Sequence, residues 1–274
     1  MYGAIFIAST GLQKQQQRMD TIANNVANVN TASYKATRLD FKDALYTAGL
    51  TPALPRTPEG NQQRGNGVMA AGTSKDFSTG AITETERQLD FAIEGEGFFS
   101  LEDRNGNTVY SRVGNFDIGV DEDGYTTWLV NGDGYWVLDT DGARIQIPEG
   151  TISISVDRDG AINFTTVYDE IVAGEEDEAL EVEVEPPIML GVFTFRNVMG
   201  LMSVGDSNYA ETEASGERLD ADGAAIRQGA LEGSNVKLAD EMTRLIRTQR
   251  AFSLASRALT TADEMEGLAN NMRR

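Results

Sequence analysis

The sequence predicts an α+β chain in which helices at the two termini pair as a coiled-coil domain, with a central, hairpin-rich all-β domain between them. Three observations carry this: apolar residues recur every seven positions at each end, Asn-Gly and Asp-Gly dipeptides punctuate the middle, and 28 glycines stand against only 6 prolines. A chain of 274 residues holds one large domain or two small ones at roughly 150 residues per domain. The expected division is a helix over 1–35, an extended arm over 36–73, a β domain over 74–227 and a helix over 228–274.

In the first segment Ile5, Leu12, Met19 and Val26 are seven apart, with Ala8, Ile22 and Val29 at most of the intermediate positions. That is a heptad seam, broken only by Gln15, and a single polar residue in a seam can set register at some cost in stability. A helix from Ile5 to Val29 would be about 37 Å long.

The arm from 36 to 73 includes Thr51 to Gly67, which carries three of the prolines and has no period, so it reads as a loop. The middle domain shows Gly106, Gly124, Gly142 and Gly160 eighteen residues apart, each after Asn or Asp. Such dipeptides mark hairpins. Between them lie runs such as Thr126–Val130 and Thr151–Val156, whose composition favours strands. An acidic segment at 169–185 includes Glu175, Glu176, Asp177, Glu178, Glu181, Glu183 and Glu185, and reads as a solvated loop or a charged edge strand.

In the last segment Leu238, Leu245, Phe252 and Leu259 repeat the seven-residue spacing, with Ala255 and Ala262 between them and Met242 alongside. Gly233, Ser234 and Asn235 upstream supply a turn and N-cap residues. An apolar stripe must be covered. Periodicity serves two arrangements equally: each terminal helix against the other, or both against the β domain as ordinary amphipathic helices.

Composition narrows the chemistry. Without Cys there are no disulfides, thiolate zinc sites or Cys nucleophiles, and without His the commonest general base and metal ligand are missing. A formal charge of −20 argues against nucleic acid, whose phosphates need clustered Lys and Arg. Asp-x-Asp-Gly turns at Asp121, Asp139, Asp157 and Asp220 raise calcium, but they lack the further ligands and closing Glu of an EF-hand loop. Asp also suits such turns by bonding its own backbone. No constellation reads as catalytic, cofactor-binding or metal-binding, and no cofactor is expected. Residues Met1 to Ala8 lack the basic flank of a secretory signal, and no run is long and apolar enough to insert in a membrane.

Three separated motifs resemble those of the flagellar rod and hook protein family. The first is Gly11-Leu12-Gln13 and then Met19 to Thr31, containing Asn24, Asn25, Asn28 and Asn30 and ending at Tyr34-Lys35. The second is Leu89 to Phe99, with Gly95, Gly97, Phe98 and Phe99, followed by Tyr110 to Phe116. The third is Gln228 to Val236, with Gly233, Ser234 and Asn235, then Gln249-Arg250-Ala251-Phe252 and Thr261 to Met265. The pattern departs at Thr31-Ala32-Ser33-Tyr34, where relatives often carry Pro-Gly or Asn-Gly before the aromatic residue, so a different local turn is expected there.

The resemblance implies a non-enzymatic structural subunit of the flagellar basal body, with the region from Arg64 to Gly80 most like the distal-rod branch. It implies a helical homopolymer that transmits torque and passes exported proteins. Its assembly seam would be Ile5, Leu12, Met19, Ile22 and Val26 on one helix and Leu238, Met242, Leu245, Phe252 and Leu259 on the other. Implied partners are copies of the chain, neighbouring rod and hook proteins, basal-body ring proteins and the type III export apparatus, with export lacking a cleavable signal. The alternatives are a proximal-rod or hook paralogue, a carboxylate-dependent cell-wall hydrolase, and a monomeric β-rich binding module braced by its helices.

Overall fold

The computed structural model describes residues 2–44, 47–48, 63–64, 67–120, 124, 126–166, 188–221 and 223–272. The acidic segment at 169–185 and most of Thr51–Gly67 lie outside the described residues. The chain divides into two compact units. One comprises Met1–Val29, Ala36–Asp76 and Val236–Arg274; the other comprises Asn30–Lys35 and Phe77–Asn235.

The first unit is built on two helices, α1 (Tyr2–Ala27) and α2 (Leu238–Asn271), which pack on each other. Neither contains proline, and both are rich in residues that lose little entropy on becoming helical. Asp240 and Glu241 lie in the first turn of α2, where negative charge meets the positive end of the helix dipole. At 1.5 Å per residue α1 spans about 39 Å and α2 about 51 Å. Neither helix is long and apolar enough to cross a membrane.

The segment read as an arm carries an antiparallel ladder, Thr37–Asp43 against Val68–Lys75, with Thr37 opposite Lys75. Thr37–Asp43 alternates half-buried and exposed positions over its first five residues, the period of a strand. Its partner, Val-Met-Ala-Ala-Gly-Thr-Ser-Lys, has no such alternation, which is why the pair is hard to read from residues alone. A shorter pair joins Thr47–Ala48 and Gln63–Arg64.

In the second unit every strand pairing among the described residues is antiparallel, with a short 3-10 helix at Val198–Gly200. Its main sheet runs in the order Gln146–Ile147, Thr127–Asn131, Trp136–Val137, Phe98–Glu102, Thr108–Ser111, Asn208–Ala210 and Met202–Gly205. Three more strands attach to that path: Phe116–Val120, Val192–Phe195 and Arg218–Asp220. The strand Phe98–Glu102 organises the core, because alternate side chains leave opposite faces of a strand. Phe99 and Leu101 join a mixed aliphatic and aromatic cluster with Phe91, Ile93, Phe116 and Val137. Phe98 points into an aromatic cluster with Tyr110, Phe193, Phe195 and Tyr209, the rings of Tyr110 and Phe195 meeting edge to face at 4.8 Å.

The hairpin turns share one construction. At Asp103–Asn107, Asn131–Tyr135, Asp139–Ala143 and Asp157–Ala161 the first residue's N–H donates to the fifth residue's carbonyl. The fourth residue is a glycine whose N–H donates back to the first carbonyl, with φ of 82°, 79°, 85° and 89° in turn. This is the three-residue loop with a left-handed closing glycine. In the first three turns the leading side chain completes it: Asp103 Oδ1 accepts from the N–H groups of Asn105 and Asn107, both at 2.8 Å, Asn131 Oδ1 from Asp133 and Tyr135, and Asp139 Oδ1 from Ala143 at 2.7 Å. These acidic turns are built to hold their own backbone.

Burial pushes the Tyr209 hydroxyl up to about 12, with the nearby Tyr34 adding to the rise. The folded state therefore holds this proton more tightly than the unfolded chain, where tyrosine titrates near 10. The contribution is complete below pH 10 and is lost as pH climbs through about 12. Tyr209→Phe should abolish roughly 2 kcal/mol of the loss in stability between pH 9 and 12, as measured by the difference in urea midpoints between the two chains.

Candidate functional site

Three charged side chains from distant parts of the sequence meet in the interior of the β unit. Glu232 accepts from Lys35 Nζ at 2.7 Å and from Arg112 Nε at 2.5 Å, and all three side chains are at most 4% exposed. The carboxylate also accepts from the Gly80 N–H at 2.7 Å. The surplus positive charge is dispersed over backbone oxygens. Lys35 donates to Ser78 O at 2.8 Å, and Arg112 donates to Gly95 O, Gly97 O and Ile93 O at 2.5, 3.1 and 3.3 Å. Ser33 closes the knot, its hydroxyl donating to Arg112 O at 2.8 Å and its N–H to Glu232 O at 2.8 Å.

Local backbone makes this meeting possible. Ser33 adopts φ 54°, the left-handed region that favours glycine, so the turn where the motif departs from its relatives is held open by a serine with two hydrogen bonds. A Cβ on Gly80 would lie 2.0 Å from Gly233 O, so those two backbones approach as only glycine permits. Gly95, at φ 119°, aims its carbonyl at Arg112. Segments 33–35, 78–80 and 232–235 are also those by which the chain enters and leaves this unit.

In the helical unit, the buried or half-buried positions of α1 include Ile5, Ala8, Leu12, Gln15, Met19, Ile22 and Val26. Those of α2 include Glu241, Leu245, Thr248, Phe252, Ala255, Leu259 and Ala262. Both sets step alternately by three and four, a heptad pattern. At the start of α2, Leu238 and Met242 of the expected assembly seam are 44% and 46% exposed. Glu241 takes the inward position instead, because polar partners await it: Asn25 Nδ2 donates to its carboxylate at 3.5 Å and Arg244 at 2.6 Å. Asn25 itself is 1% exposed and brackets Thr37, accepting from its N–H at 3.0 Å and donating to its carbonyl at 2.9 Å. The Gln15 Oε1 is buried with no hydrogen-bond partner among the described residues.

Known proteins place this arrangement. Family descriptions match at residues 5–35 (flagella basal body rod protein), 92–164 (flagellar hook protein FlgE/F/G D1 domain) and 227–272 (flagellar basal body rod FlgEFG protein C-terminal). The flagellar basal-body rod protein FlgG of Borreliella burgdorferi is 37% identical over 289 residues, covering 100% of both chains. That of Bacillus subtilis is 34% identical over 283 residues, again covering 100% of each, and that of Buchnera aphidicola from Schizaphis graminum is 34% identical over 277 residues, covering 97% of each. This chain belongs to the flagellar basal-body rod protein family.

Each of the three family segments supplies one charge to the knot: Lys35 from the first, Arg112 from the second and Glu232 from the third. The other motif residues divide by role. Gly97, Phe98 and Phe99 are buried in the β unit, while Tyr34, Gly233, Ser234 and Asn235 are half-buried beside the knot's segments, with the Asn235 N–H donating to Tyr34 O. Asn24, Asn30, Gln249 and Arg250 are exposed on the helical segments and their flank, and Asn28 caps the end of α1 by donating to Asn24 O at 2.9 Å. Lys35, Arg112 and Glu232 lie inside the three motifs, where spacing alone gives them no role. Their signal was a lone charge among apolar or small neighbours, as in Tyr34-Lys35-Ala36 and Leu231-Glu232-Gly233.

Removing one partner of a buried charge pair leaves the others unpaired, at about 3–5 kcal/mol. Glu232→Gln should lower the unfolding free energy by that amount. Glu102→Gln, at the solvent-exposed pair with Arg144, should cost under about 1 kcal/mol. Equilibrium denaturation of the two variants measures the contrast.

Proposed function

We propose that this chain is a structural subunit of the bacterial flagellar basal-body rod, of the distal-rod kind, that assembles with copies of itself into a helical tube. Full-length similarity to proteins named as basal-body rod proteins carries the reading. The helical unit supports it physically. Besides the positions turned toward one another, α2 leaves Leu238, Met242, Ile246 and Leu254 between 44% and 66% exposed, and α1 leaves Phe6 62% exposed. Apolar side chains at successive turns of one helix favour a further helix against them, and contacts that repeat without closing produce a helical polymer.

In this reading the two helices form the coiled-coil part of the assembly and order fully as neighbours cover them. Neighbouring rod and hook proteins, ring proteins and the flagellar export apparatus are the partners, and torque passes through many shared contacts rather than through one residue. The hydrolase alternative gains nothing from the turns led by Asp103 and Asp139, whose carboxylates are engaged with backbone N–H groups.

A buried charge without a partner is costly at a helix interface. Leu12→Asp and Leu245→Asp, both at half-buried positions, should therefore abolish rods and motility while leaving the β unit's near-ultraviolet dichroism unchanged. Normal motility in either strain would count against the polymer reading.

A further inference from the structure

The helical unit contains a recess of about 230 Å³ lined by three arginines, Arg18, Arg38 and Arg244, together with Thr21 and Thr37. Two carboxylates share the lining, Asp40 and Glu241, and both are already engaged: Asp40 accepts from the Ser74 hydroxyl at 2.9 Å, and Glu241 from Arg244 and Asn25. Arg38 reaches Asp76 at 3.2 Å across a pair that is partly exposed. Arg18 lies with its guanidinium 5.8 Å from the Phe41 ring and, among the described residues, has no carboxylate partner. In a chain with 43 acidic and 23 basic residues, three guanidinium groups converge on this recess, two of them already paired, and Arg18 is the one open to an incoming anion among the described residues.

The complementary charge lies elsewhere on the same unit. From Arg244 to Arg257, α2 holds four arginines and no acid, whereas Asp263, Glu264 and Glu266 follow with no base before Arg273. Asp263 and Glu264 are exposed and make no ion pair among the described residues. The Asn25 to Glu241 hydrogen bond joins the end of α1 to the start of α2, so the packed helices run antiparallel. Glu264 then lies about 30 Å along α2 from Arg244 at 1.5 Å per residue. The acid cannot reach the recess of its own chain.

We propose that the recess receives a carboxylate from a second copy of this chain, supplied by Asp263 or Glu264 at the far end of that copy's α2. The proposal rests on the polymer reading above and adds to it a polarity: basic recess to acidic end is a head-to-tail contact, which extends rather than closes. The charge distribution fits, since residues 1–35 and 228–274 hold ten of the 23 Lys and Arg but only seven of the 43 Asp and Glu. The helical ends can therefore approach one another without the repulsion that the rest of the chain carries.

A charge exchange tests it on the full-length purified chain, with filaments counted by negative-stain electron microscopy. Arg18→Glu should reduce filament yield by about tenfold or more, since like charges face each other across the contact. Combining it with Asp263→Arg and Glu264→Arg should restore the yield. Because the chain has no cysteine, Arg18→Cys with Glu264→Cys provides a second measure: oxidised filaments should give covalent ladders beyond dimers, and each single variant none. Unaltered yield in Arg18→Glu, or filaments of the double-cysteine chain without ladders, would overturn the docking proposal while leaving the polymer reading intact. Failure of the unsubstituted chain to form filaments would instead remove the polymer reading on which the proposal rests.

Discussion

Two cations and one carboxylate withdrawn from water constrain this molecule more tightly than any apolar contact. Lys35, Arg112 and Glu232 are stable in the interior only as a set, because each charge alone would face the desolvation penalty of a low-dielectric environment. The geometry admits little drift: the carboxylate is held from three directions, and the guanidinium is shared among the carbonyls of the 93–97 turn. Apolar clusters tolerate sliding and repacking. A knot of directional, charge-assisted bonds does not, and so it defines where segments 33–35, 78–80 and 232–235 stand with respect to one another.

Acidic residues serve two unrelated purposes here. In the hairpin turns they are local devices, accepting backbone N–H groups that the closing bends would otherwise leave without partners. In bulk they set a charge of −20, which keeps free copies apart at distances shorter than the Debye length. The terminal segments take almost no part in that surplus. Nearly neutral terminal segments, with the repulsive charge carried by the intervening residues, would lower the electrostatic cost of bringing copies together through their helices.

The helical pair shows how a seam tolerates polar positions. Gln15, Glu241 and Thr248 occupy inward positions in an otherwise apolar or small-residue pattern. Glu241 is answered by Asn25 and Arg244, and the Thr248 hydroxyl donates to Arg244 O at 2.9 Å. Such positions sacrifice apolar burial and in return favour one register over its neighbours by a heptad.

The sequence by itself determined the class of the two ends and of the middle, since heptads and Asp-Gly turns are local signals whose physics acts within a few residues. Helical ends, a hairpin-rich middle and membership of the rod and hook family were all legible in that way. What only tertiary structure decided were the relations between distant residues. The ladder of Thr37–Asp43 with Val68–Lys75 was hidden because one strand lacks alternation and gains its order from the other. The knot was hidden because 197 residues separate Lys35 from Glu232, and a lone charge in a motif does not announce its partner. The start of α2 turned on Asn25, which made an inward glutamate favourable and left Leu238 and Met242 outside. In each case burial reverses the usual preference of a residue only when a partner arrives through space, and spacing along the chain carries no record of that arrival.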